Sequence, residues 1–179
     1  EAEKLESNNP NACCLATTDI RGFPSARMIL VKKFDERGFV FYTNLNSKKA
    51  ENFSSNIKVA LCFYWKSLSK QVRVEGSIMD LPSKEADDYF ASRDRDSQIG
   101  AWISKQSKPL SGGISELDKK YKLEKAKLGT RKIVRPSFWS GKIVIPEKIE
   151  FWSSRDYRLH ERILYTTFNK GWKKEYLYP

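Results

Sequence analysis

Four clusters of basic and hydroxyl-bearing side chains in this sequence have the chemistry to bind anions, phosphate above all. In the first cluster, Arg27 and Lys32 enclose the apolar run 28–31. Because side chains alternate along a strand, this odd spacing puts the two cations on opposite faces of a regular strand. The pair therefore fits two separate anions better than one, unless a bulge intervenes. Solvent-exposed charges at the strand ends are the alternative.

The second cluster lies at the start of a predicted helix. Tyr42 and Thr43 are followed closely by Ser47, Lys48 and Lys49. Hydroxyls, ammonium groups and the unpaired N–H donors of a helix N-terminus together form a phosphate site. An ordinary helix cap at Ser47, with its lysines in solvent, is the alternative interpretation.

The third cluster consists of Tyr89, Arg93 and Ser97, which recur at a spacing of four. If the helix continues through Asp94, the three side chains share one stripe, where a phenol, a guanidinium and a hydroxyl can clamp a phosphate. Equally, Tyr89 can be a packing residue while Arg93 pairs with a neighbouring aspartate.

The fourth cluster follows Trp152 and contains Arg158, His160 and Arg162. On an extended segment these three side chains share a face, where cations repel unless an anion or a carboxylate lies among them. A charged edge strand that resists aggregation is the alternative. His160 is the only histidine, so no zinc site of His and Cys ligands is expected, and no metal.

The elements that must position these clusters are mainly strands. Strands are predicted at 12–18, 25–34, 39–43, 59–65, 71–78, 142–145, 149–152, 163–168 and 172–176, with a hairpin turn at 169–171. Helices are predicted at 47–56, 82–93, 97–104 and 115–128, the last with a capping box formed by Ser115 and Asp118. The pattern predicts a single α+β domain over 1–179, mainly β and built on an antiparallel barrel.

Composition and charge narrow the class of protein. The 179 residues are 40% hydrophobic and 31% charged, which is too apolar for a disordered chain and too charged for a membrane protein. Lys and Arg total 33 against 22 Asp and Glu, a net charge of +11 that favours anionic partners. Cys13, Cys14 and Cys62 form no CxxC pair, so we expect buried free thiols in a reducing, cytoplasmic setting. The missing initiator Met suggests that an upstream segment has been removed.

Several enzyme classes find no support. The sequence has no GxGxxG, Walker A or GxSxG motif, so dinucleotide-binding, P-loop and α/β-hydrolase folds are not indicated. A nucleic-acid-binding barrel remains an alternative, because aromatic residues such as Phe63, Tyr64 and Trp65 lie between lysines in a basic chain.

The clusters, in this order and spacing, resemble the pyridoxamine 5'-phosphate oxidase family from about Asn9 onward. The matching strings are ARMILVK at 26–32, FYTN at 41–44, SKKA at 47–50, QVRVEG at 71–76, YFASRDRDSQIGAW at 89–102, SKQS at 104–107, PSFW at 136–139, IEFW at 149–152 and RLHER at 158–162. A single string is weak, whereas the ordered set is specific.

The resemblance implies an FMN-binding split β-barrel with flanking helices, which forms a homodimer with FMN at the subunit interface. The residues implied to bind FMN are Arg27, Met28, Ile29, Leu30, Val31, Lys32, Tyr42, Thr43, Lys48, Lys49, Gln71, Gln106, Ser107, Trp152 and Arg162. Those implied to bind the substrate are Lys32, Tyr89, Arg93, Ser97, Arg158, Leu159 and His160, with Arg158 and His160 as the catalytic pair. Two phosphorylated ligands explain cations on both faces of the strand predicted at 25–34.

The implied reaction is oxidation of pyridoxamine or pyridoxine 5'-phosphate to pyridoxal 5'-phosphate. The hydride passes to the flavin, O2 reoxidises it to give H2O2, and the amine substrate also gives ammonia. No nucleic acid and no membrane are expected as partners. A non-oxidase flavoprotein of the same fold is a further alternative, against which the YFASR and RLHER strings argue.

A few positions depart from the family pattern. Lys48 stands where the family usually has Arg, Glu161 where it has Asp, and Asp94 where it has Pro. Asn9 precedes Pro10 where an acidic residue is expected. The family's N-terminal segment that folds over the substrate is expected to be missing from this chain.

Overall fold

The computed structural model describes residues 1–179. Contacts within the chain divide it into two compact units. The first unit contains Glu1–Phe41, Asn52–Met79 and Ile143–Pro179, and the second contains Tyr42–Glu51 and Asp80–Lys142. The single domain over 1–179 stays a prediction. No helix is both long enough and apolar enough to cross a lipid bilayer.

Strands account for 41% of the chain and helices for 30%, which confirms a mainly β, α+β fold. The strands are β1 (Ala12–Thr18), β2 (Pro24–Leu30), β3 (Lys33–Asp35), β4 (Gly38–Asn44), β5 (Lys58–Trp65), β6 (Lys70–Asp80), β7 (Trp139–Ser153), β8 (Glu161–Phe168) and β9 (Gly171–Leu177). The helices are α1 (Ala2–Leu5), α2 (Lys48–Ser55), α3 (Ser83–Ser92), α4 (Arg95–Ile103) and α5 (Gly113–Leu128), with short 3-10 turns at Lys66–Leu68 and Asp156–Arg158.

The strands form one sheet in the order β2-β1-β5-β6-β7-β4-β3, and β8 joins β7 to β9. Strand β1 is antiparallel to both neighbours, with Leu15 opposite Arg27 on β2 and opposite Leu61 on β5. Alternate residues are buried, as a sheet with one covered face requires. The core of the first unit therefore includes fully buried Leu15, Leu61 and Val74.

The same alternation separates the adjacent cysteines. Cys13 is buried, whereas Cys14 and its cross-strand neighbour Cys62 are half-buried, and all three are free thiols. Cys13 and Cys14 thus lie on opposite faces of β1, and the predicted burial is right for Cys13 alone. Burial raises the pKa of Cys13 to about 12, so this thiol stays protonated.

The prediction of one strand over 25–34 is wrong, because β2 ends at Leu30 and β3 begins at Lys33. At the break, the Val31 amide donates to the Asn11 carbonyl (2.9 Å) and the Asn11 side chain donates back to the Val31 carbonyl (2.9 Å). The next amide, of Lys32, donates to the Val40 carbonyl at 2.8 Å. The chain therefore exchanges its partner strand β1 for β4 within two residues.

The start of α5 also differs from the prediction. The helix begins at Gly113 rather than Ser115, and the predicted capping box of Ser115 with Asp118 is wrong. Glu116 instead accepts a hydrogen bond from the Gly112 amide (2.8 Å), while the Ser115 hydroxyl donates to the Gly112 carbonyl (3.1 Å). The carboxylate that closes this first turn thus lies two residues before the expected one.

The C-terminal strands follow the prediction with one exception. The segments predicted at 142–145 and 149–152 are a single strand, β7, which continues through Pro146. The hairpin between β8 and β9 is confirmed, and Asn169 and Lys170 take φ values of 46° and 63°. Positive φ at both central residues is the geometry of a two-residue hairpin turn.

The second unit has its own apolar cluster. Phe90 on α3, Ile99 on α4, Ile133 and Trp139 at the start of β7 are buried together. Helices α4 and α5 are joined at the surface by an ion pair between Asp96 and Lys125 (2.8 Å). Tyr42 and Tyr89 pack against the cluster, which places two predicted site residues on its border.

Gly76 on β6 is a position where the backbone of β7 leaves no room for a side chain. A Cβ there would lie 2.0 Å from the Ile145 carbonyl oxygen. We expect Gly76→Ala to lower the free energy of unfolding by about 3 kcal/mol, because rigid backbone must move. Gly100→Ala is the control, because a Cβ at this position would have no atom within 4 Å outside the adjoining helix backbone. Alanine in a helix should raise the free energy of unfolding by about 0.5 kcal/mol relative to glycine. Equal urea midpoints for the two variants would contradict this account.

Candidate active site

Three parallel aromatic rings form the centre of the site in the second unit. The Tyr42 ring lies 3.8 Å from Tyr89 at 7° and 5.2 Å from Trp139 at 6°. Gly141 permits this stack, because a Cβ at that position would lie 3.0 Å from Cε1 of Tyr42. Burial raises the pKa of Tyr89, so its hydroxyl stays protonated. The stack places two predicted ligand-binding phenols, one from each expected ligand site, in direct contact.

Arg93 is a partly buried cation beside this stack. Its guanidinium carbon lies 5.0 Å from the Trp139 ring centroid and 5.8 Å from that of Phe90. Its Nη1 is buried and has no hydrogen-bond partner. Burial lowers the pKa of Arg93, yet an arginine stays protonated in a protein. A charged donor without an acceptor is costly, and an anionic ligand would supply that acceptor.

The predicted helical stripe of Tyr89, Arg93 and Ser97 is wrong, because the helix breaks between α3 and α4. Arg93 is extended, with φ −70° and ψ 151°, and Asp94 caps α4 by accepting from the Ser97 amide (2.8 Å). The buried side chain of Gln98 donates to the carbonyl oxygens of Phe90 (2.9 Å) and Arg93 (3.1 Å). The end of α3 is therefore satisfied by a side chain from α4 and not by further helix.

Asp94 also accepts a hydrogen bond from Ser97. Hydrogen bonds from the Ser97 hydroxyl and amide hold the pKa of Asp94 below its usual range. The carboxylate therefore remains charged at neutral pH, next to Arg93. Its place near the predicted phosphate clamp is a consequence of Asp at a position where the resemblance leads one to expect Pro.

The second cluster forms a separate group of donors in the same unit. Lys49 is buried, and its Nζ donates to the Ser47 hydroxyl (3.2 Å) and to the side-chain oxygen of Gln106 (2.9 Å). Nearby in sequence, Thr43 is buried and its Oγ1 has no hydrogen-bond partner. Asn44 on the same strand donates to the Ser104 carbonyl (3.0 Å), which ties the 104–107 segment to β4.

Two further residues predicted to bind FMN face solvent, whereas Ser47 does not. Lys48 is exposed, and so is Ser107, which has a φ of 69°. The Ser47 hydroxyl donates to the Asn44 carbonyl (2.7 Å) and is buried, so Ser47 belongs to the interior and not to a simple exposed cap.

In the first unit, Arg27 is held by neutral oxygens. Its Nη1 donates to the Leu15 carbonyl (3.1 Å) and to the Thr17 hydroxyl (2.8 Å), and Asn52 donates to the same hydroxyl (2.8 Å). Burial lowers the pKa of Arg27. Of its neighbours, Val31 is buried, Ile29 is half-buried, and Met28, Leu30 and Lys32 are exposed.

Arg162 is paired with a buried carboxylate that sequence reasoning missed. Glu150 accepts from Nε (2.8 Å) and Nη2 (3.1 Å) of Arg162, and from Nη1 of Arg73 (3.2 Å). The hydrogen bond from Arg162 is the main reason that the pKa of Glu150 is lowered. This is the carboxylate among cations that the charge pattern required, but the sequence offered only its presence in the IEFW string as a signal.

His160 lies after a strained turn. Tyr157 and Arg158 have φ values of 57° and 61°, a left-handed conformation that non-glycine residues rarely adopt and that is concentrated at functional sites. Nδ1 of His160 accepts a hydrogen bond from the Arg155 amide (3.3 Å), so the ring proton is on Nε2. The His160 ring lies 4.7 Å from that of Trp152.

The predicted common face of Arg158, His160 and Arg162 is wrong, since Arg158 belongs to the 3-10 turn and only Arg162 to β8. Leu159 is exposed and, with Ser154, Arg155 and Asp156, lines an open cavity of about 440 Å³. Arg158 is exposed beside it. The turn thus presents a cation and an imidazole N–H donor without an extended strand.

Each unit brings together a different part of the predicted site. The second unit holds Tyr42, Thr43, Lys48, Lys49, Tyr89, Arg93, Ser97, Gln106 and Ser107. The first unit holds Arg27, Met28, Ile29, Leu30, Val31, Lys32, Gln71, Trp152, Arg158, Leu159, His160 and Arg162. Gln71 is half-buried on β6, opposite Tyr64. In both units, partly buried cations rest on neutral oxygens or aromatic rings, as sites for anions do.

The fold is that of FMN-binding split barrels. PhzG from Burkholderia lata 383, solved in complex with tetrahydrophenazine-1-carboxylic acid, matches with a TM-score of 0.93 at 28% identity, over 99% of this chain and 87% of that one. A pyridoxamine 5'-phosphate oxidase-related, FMN-binding protein from Nostoc punctiforme matches with a TM-score of 0.75 over 94% of this chain and 88% of that one. At 16% identity, this second likeness supports the fold alone.

The sequence comparisons identify the family. The family model described as pyridoxamine 5'-phosphate oxidase matches residues 1–120, and that of the pyridoxine 5'-phosphate oxidase C-terminal dimerisation region matches residues 139–179. A pyridoxine/pyridoxamine 5'-phosphate oxidase of Chelativorans sp. is 50% identical over 180 residues, covering 100% of this chain and 86% of the relative. One of Brucella canis is 50% identical over 181 residues, covering 100% and 89%. The chain belongs to the pyridoxamine 5'-phosphate oxidase family.

The Glu150 carboxylate should stabilise the fold in a pH-dependent way. We expect Glu150→Gln to lower the free energy of unfolding by about 2 kcal/mol at pH 7, because two arginines lose the negative charge and one of the two acceptor oxygens that they share. Since the pKa of Glu150 is lowered from 4.5, the wild-type advantage is full above that value. It is lost as the pH falls through the lower, folded-state pKa. Urea unfolding between pH 7 and pH 3 measures the difference.

Glu75→Gln is the matched control for this test. Glu75 contacts the same Arg73 at 3.1 Å, but its side chain is 45% exposed, so its loss should be only about 0.5 kcal/mol. Equal losses for the two variants, or a Glu150 effect that persists undiminished in acid, would show that the buried pairing is not the cause.

Proposed function

We propose that this protein catalyses the FMN-dependent oxidation of pyridoxamine 5'-phosphate and pyridoxine 5'-phosphate to pyridoxal 5'-phosphate. The electron acceptor is O2, which leaves as H2O2, and the amine substrate also releases ammonia. Family membership and the names of 50% identical relatives support this activity. The observation that carries it is Arg93, a partly buried cation whose buried Nη1 has no hydrogen-bond partner and which a phosphorylated ligand would satisfy.

The residues present fit FMN as the cofactor. Thr43 offers a buried hydroxyl without a partner, and Lys49, in the same unit, is a buried ammonium that donates to Ser47 and Gln106. A phosphate group supplies the acceptor that the Thr43 hydroxyl lacks. The chemistry that FMN supplies when bound is acceptance of a hydride from the exocyclic 4' carbon of the substrate and transfer of the two electrons on to O2.

FMN would be held by residues with distinct tasks. We assign phosphate binding to Thr43, Lys48 and Lys49, with Arg27 as a further cation. The other proposed FMN contacts are Met28, Ile29, Leu30, Val31, Lys32, Tyr42, Gln71, Gln106, Ser107, Trp152 and Arg162. Because Glu150 already accepts from two Arg162 nitrogens, Arg162 would be a hydrogen-bond donor of fixed orientation that adds little net charge to the FMN site.

The substrate phosphate would be bound by Lys32, Tyr89, Arg93 and Ser97. Arg93 supplies an unpaired charged donor, and Tyr89 a protonated phenol. Asp94 lies beside this set and accepts a hydrogen bond from the Ser97 amide (2.8 Å), so a carboxylate adjoins the proposed phosphate site in this chain.

Arg158, Leu159 and His160 would bind and orient the pyridine ring. With Nδ1 of His160 occupied by the Arg155 amide, Nε2 is left as a hydrogen-bond donor toward the substrate. We assign Arg158, whose backbone is in the left-handed conformation of the turn, a role in positioning and electrostatic stabilisation. Neither side chain needs to change its protonation state for this role.

We also propose a homodimer in the cytoplasm, in which two copies complete each FMN site. The C-terminal match to a dimerisation region supports the dimer, as do Met28 and Leu30, which are exposed apolar side chains on β2. Three free thiols suit a reducing compartment.

Flavin absorbance tests the activity directly. Protein loaded with FMN is mixed anaerobically with pyridoxine 5'-phosphate or pyridoxamine 5'-phosphate, and air is then admitted. Bleaching that reverses in air, with formation of pyridoxal 5'-phosphate and H2O2, is the expected result. FMN that binds but stays oxidised with both substrates would favour a non-oxidase flavoprotein of the same fold. Failure to hold FMN, together with salt-dependent oligonucleotide binding, would favour the nucleic-acid alternative.

Thr43 allows an independent test of the FMN assignment, because one substitution should lower the affinity for FMN without lowering the stability of the protein. Thr43→Val removes a buried hydroxyl without a partner, so the protein without FMN should be as stable as wild type or more stable. Its affinity for FMN should fall about tenfold, because one hydrogen bond to the phosphate is lost. Thermal unfolding and quenching of flavin fluorescence measure the two effects.

Thr17→Val is the matched control in this case. The Thr17 hydroxyl accepts from both Arg27 and Asn52, so its removal should cost about 1.5 kcal/mol even without FMN. If Thr43→Val behaved like Thr17→Val in the absence of FMN and bound FMN normally, the assignment of Thr43 would be wrong.

A further inference from the structure

Trp139 belongs neither to the proposed FMN-binding residues nor to the proposed substrate-binding residues. Its ring nevertheless contacts Tyr42 of the first set and Arg93 of the second. It begins β7 and is 7% exposed. One face of its indole is parallel to the Tyr42 ring (5.2 Å, 6°), and the edge of Phe90 meets it at 70°. The Arg93 guanidinium lies 5.0 Å from its ring centroid. Of the two rings that contact the Arg93 guanidinium, that of Trp139 is therefore the nearer.

The backbone around Trp139 is fixed at both ends. Its amide donates to the Pro136 carbonyl (3.0 Å), and its carbonyl accepts from Nη1 of Arg135 (2.6 Å). Arg135 is itself anchored to α3 by Asp87 (2.6 Å) and by the Ser83 hydroxyl (2.7 Å). These backbone bonds, together with the packing of the buried indole between Tyr42 and Phe90, hold Trp139 in one place.

Arg93 needs such a fixed support. It follows the last turn of α3 in an extended conformation, and the Phe90 ring of that helix is farther from its guanidinium carbon (5.8 Å) than the Trp139 ring (5.0 Å). Without the indole, loss of the cation–π contact and gain of hydration would favour conformers that turn the guanidinium toward water. The buried, unpartnered Nη1 shows that the observed conformer gives up hydrogen bonding to stay in place.

We propose that Trp139 is a positioning residue that holds the Arg93 guanidinium, through a cation–π contact, in the orientation that binds the phosphate of the substrate. The inference rests on the proposed function, because it assigns the ligand of Arg93 to the phosphorylated substrate. It adds a residue that binds no ligand itself and acts through Arg93. Its signature is a loss of affinity for phosphorylated pyridine compounds, with FMN affinity and turnover preserved.

The test is a double-mutant cycle between Trp139 and Arg93, read by equilibrium binding of pyridoxal 5'-phosphate to the FMN-loaded protein. Trp139→Leu should weaken this binding about tenfold, the equivalent of one partly desolvated cation–π contact. In the Arg93→Met background the same substitution should have no further effect, because no cation remains to be positioned. In steady-state kinetics, KM for pyridoxine 5'-phosphate should rise about tenfold with kcat within about twofold of wild type.

Two variants separate positioning from simple packing. Trp139→Phe keeps a ring under the guanidinium and should lose only about threefold in affinity. Phe138→Leu removes the neighbouring ring, which packs edge-on against Trp102 and does not touch Arg93. It should leave pyridoxal 5'-phosphate binding unchanged. Should Trp139→Leu not fold, the cycle with Arg93→Met is run with Trp139→Phe.

The outcomes divide clearly. Equal losses in both Arg93 backgrounds, or the same loss from Phe138→Leu, would overturn the role of Trp139. Wild-type protein that binds pyridoxal 5'-phosphate but oxidises neither substrate would contradict the proposed activity alone, and the cycle would still decide the role of Trp139. Wild-type protein that fails to bind pyridoxal 5'-phosphate would overturn both.

Discussion

Partly buried cations held by neutral groups are the constraint around which the site is organised. Arg93 rests on the Trp139 ring, and Arg27 donates to a carbonyl and a hydroxyl. Neutral partners keep such side chains in place without cancelling their charge, so the charge remains available to a ligand. Phosphate groups suit these cations, and the two phosphorylated ligands proposed above would account for several of them in one chain of net charge +11.

Arg162 illustrates the opposite arrangement. It belongs to the same set of residues by motif, but Glu150 accepts from two of its nitrogens and also from Arg73. A neutralised arginine contributes direction more than charge, because its planar guanidinium is already oriented by two hydrogen bonds. The protein thus uses arginine in two ways: as an unpaired charge at Arg93 and as a rigid donor at Arg162.

Periodicity in the sequence was sufficient for most strands, since β1 coincides with its predicted bounds and the β8–β9 turn has the expected geometry. It failed where a side chain from elsewhere in the chain ends an element. Asn11 pairs with Val31 and splits the predicted strand 25–34. Apolar patterns record which face is buried and carry no information about such distant hydrogen bonds.

The limits at the site have a related cause. Residues of types that bind phosphate, such as Lys49 and Arg93, are visible in the sequence, and their order along the chain identifies the family. Residues that support such side chains, such as Glu150 beside Arg162 and Trp139 beside Arg93, look like ordinary strand residues until their contacts are known. Asp94 shows the same point from the other side, because it caps α4 by accepting from the Ser97 amide at a position where the resemblance leads one to expect Pro. A single residue thus changes the local hydrogen bonding of this cluster, although Tyr89, Arg93 and Ser97 are all present.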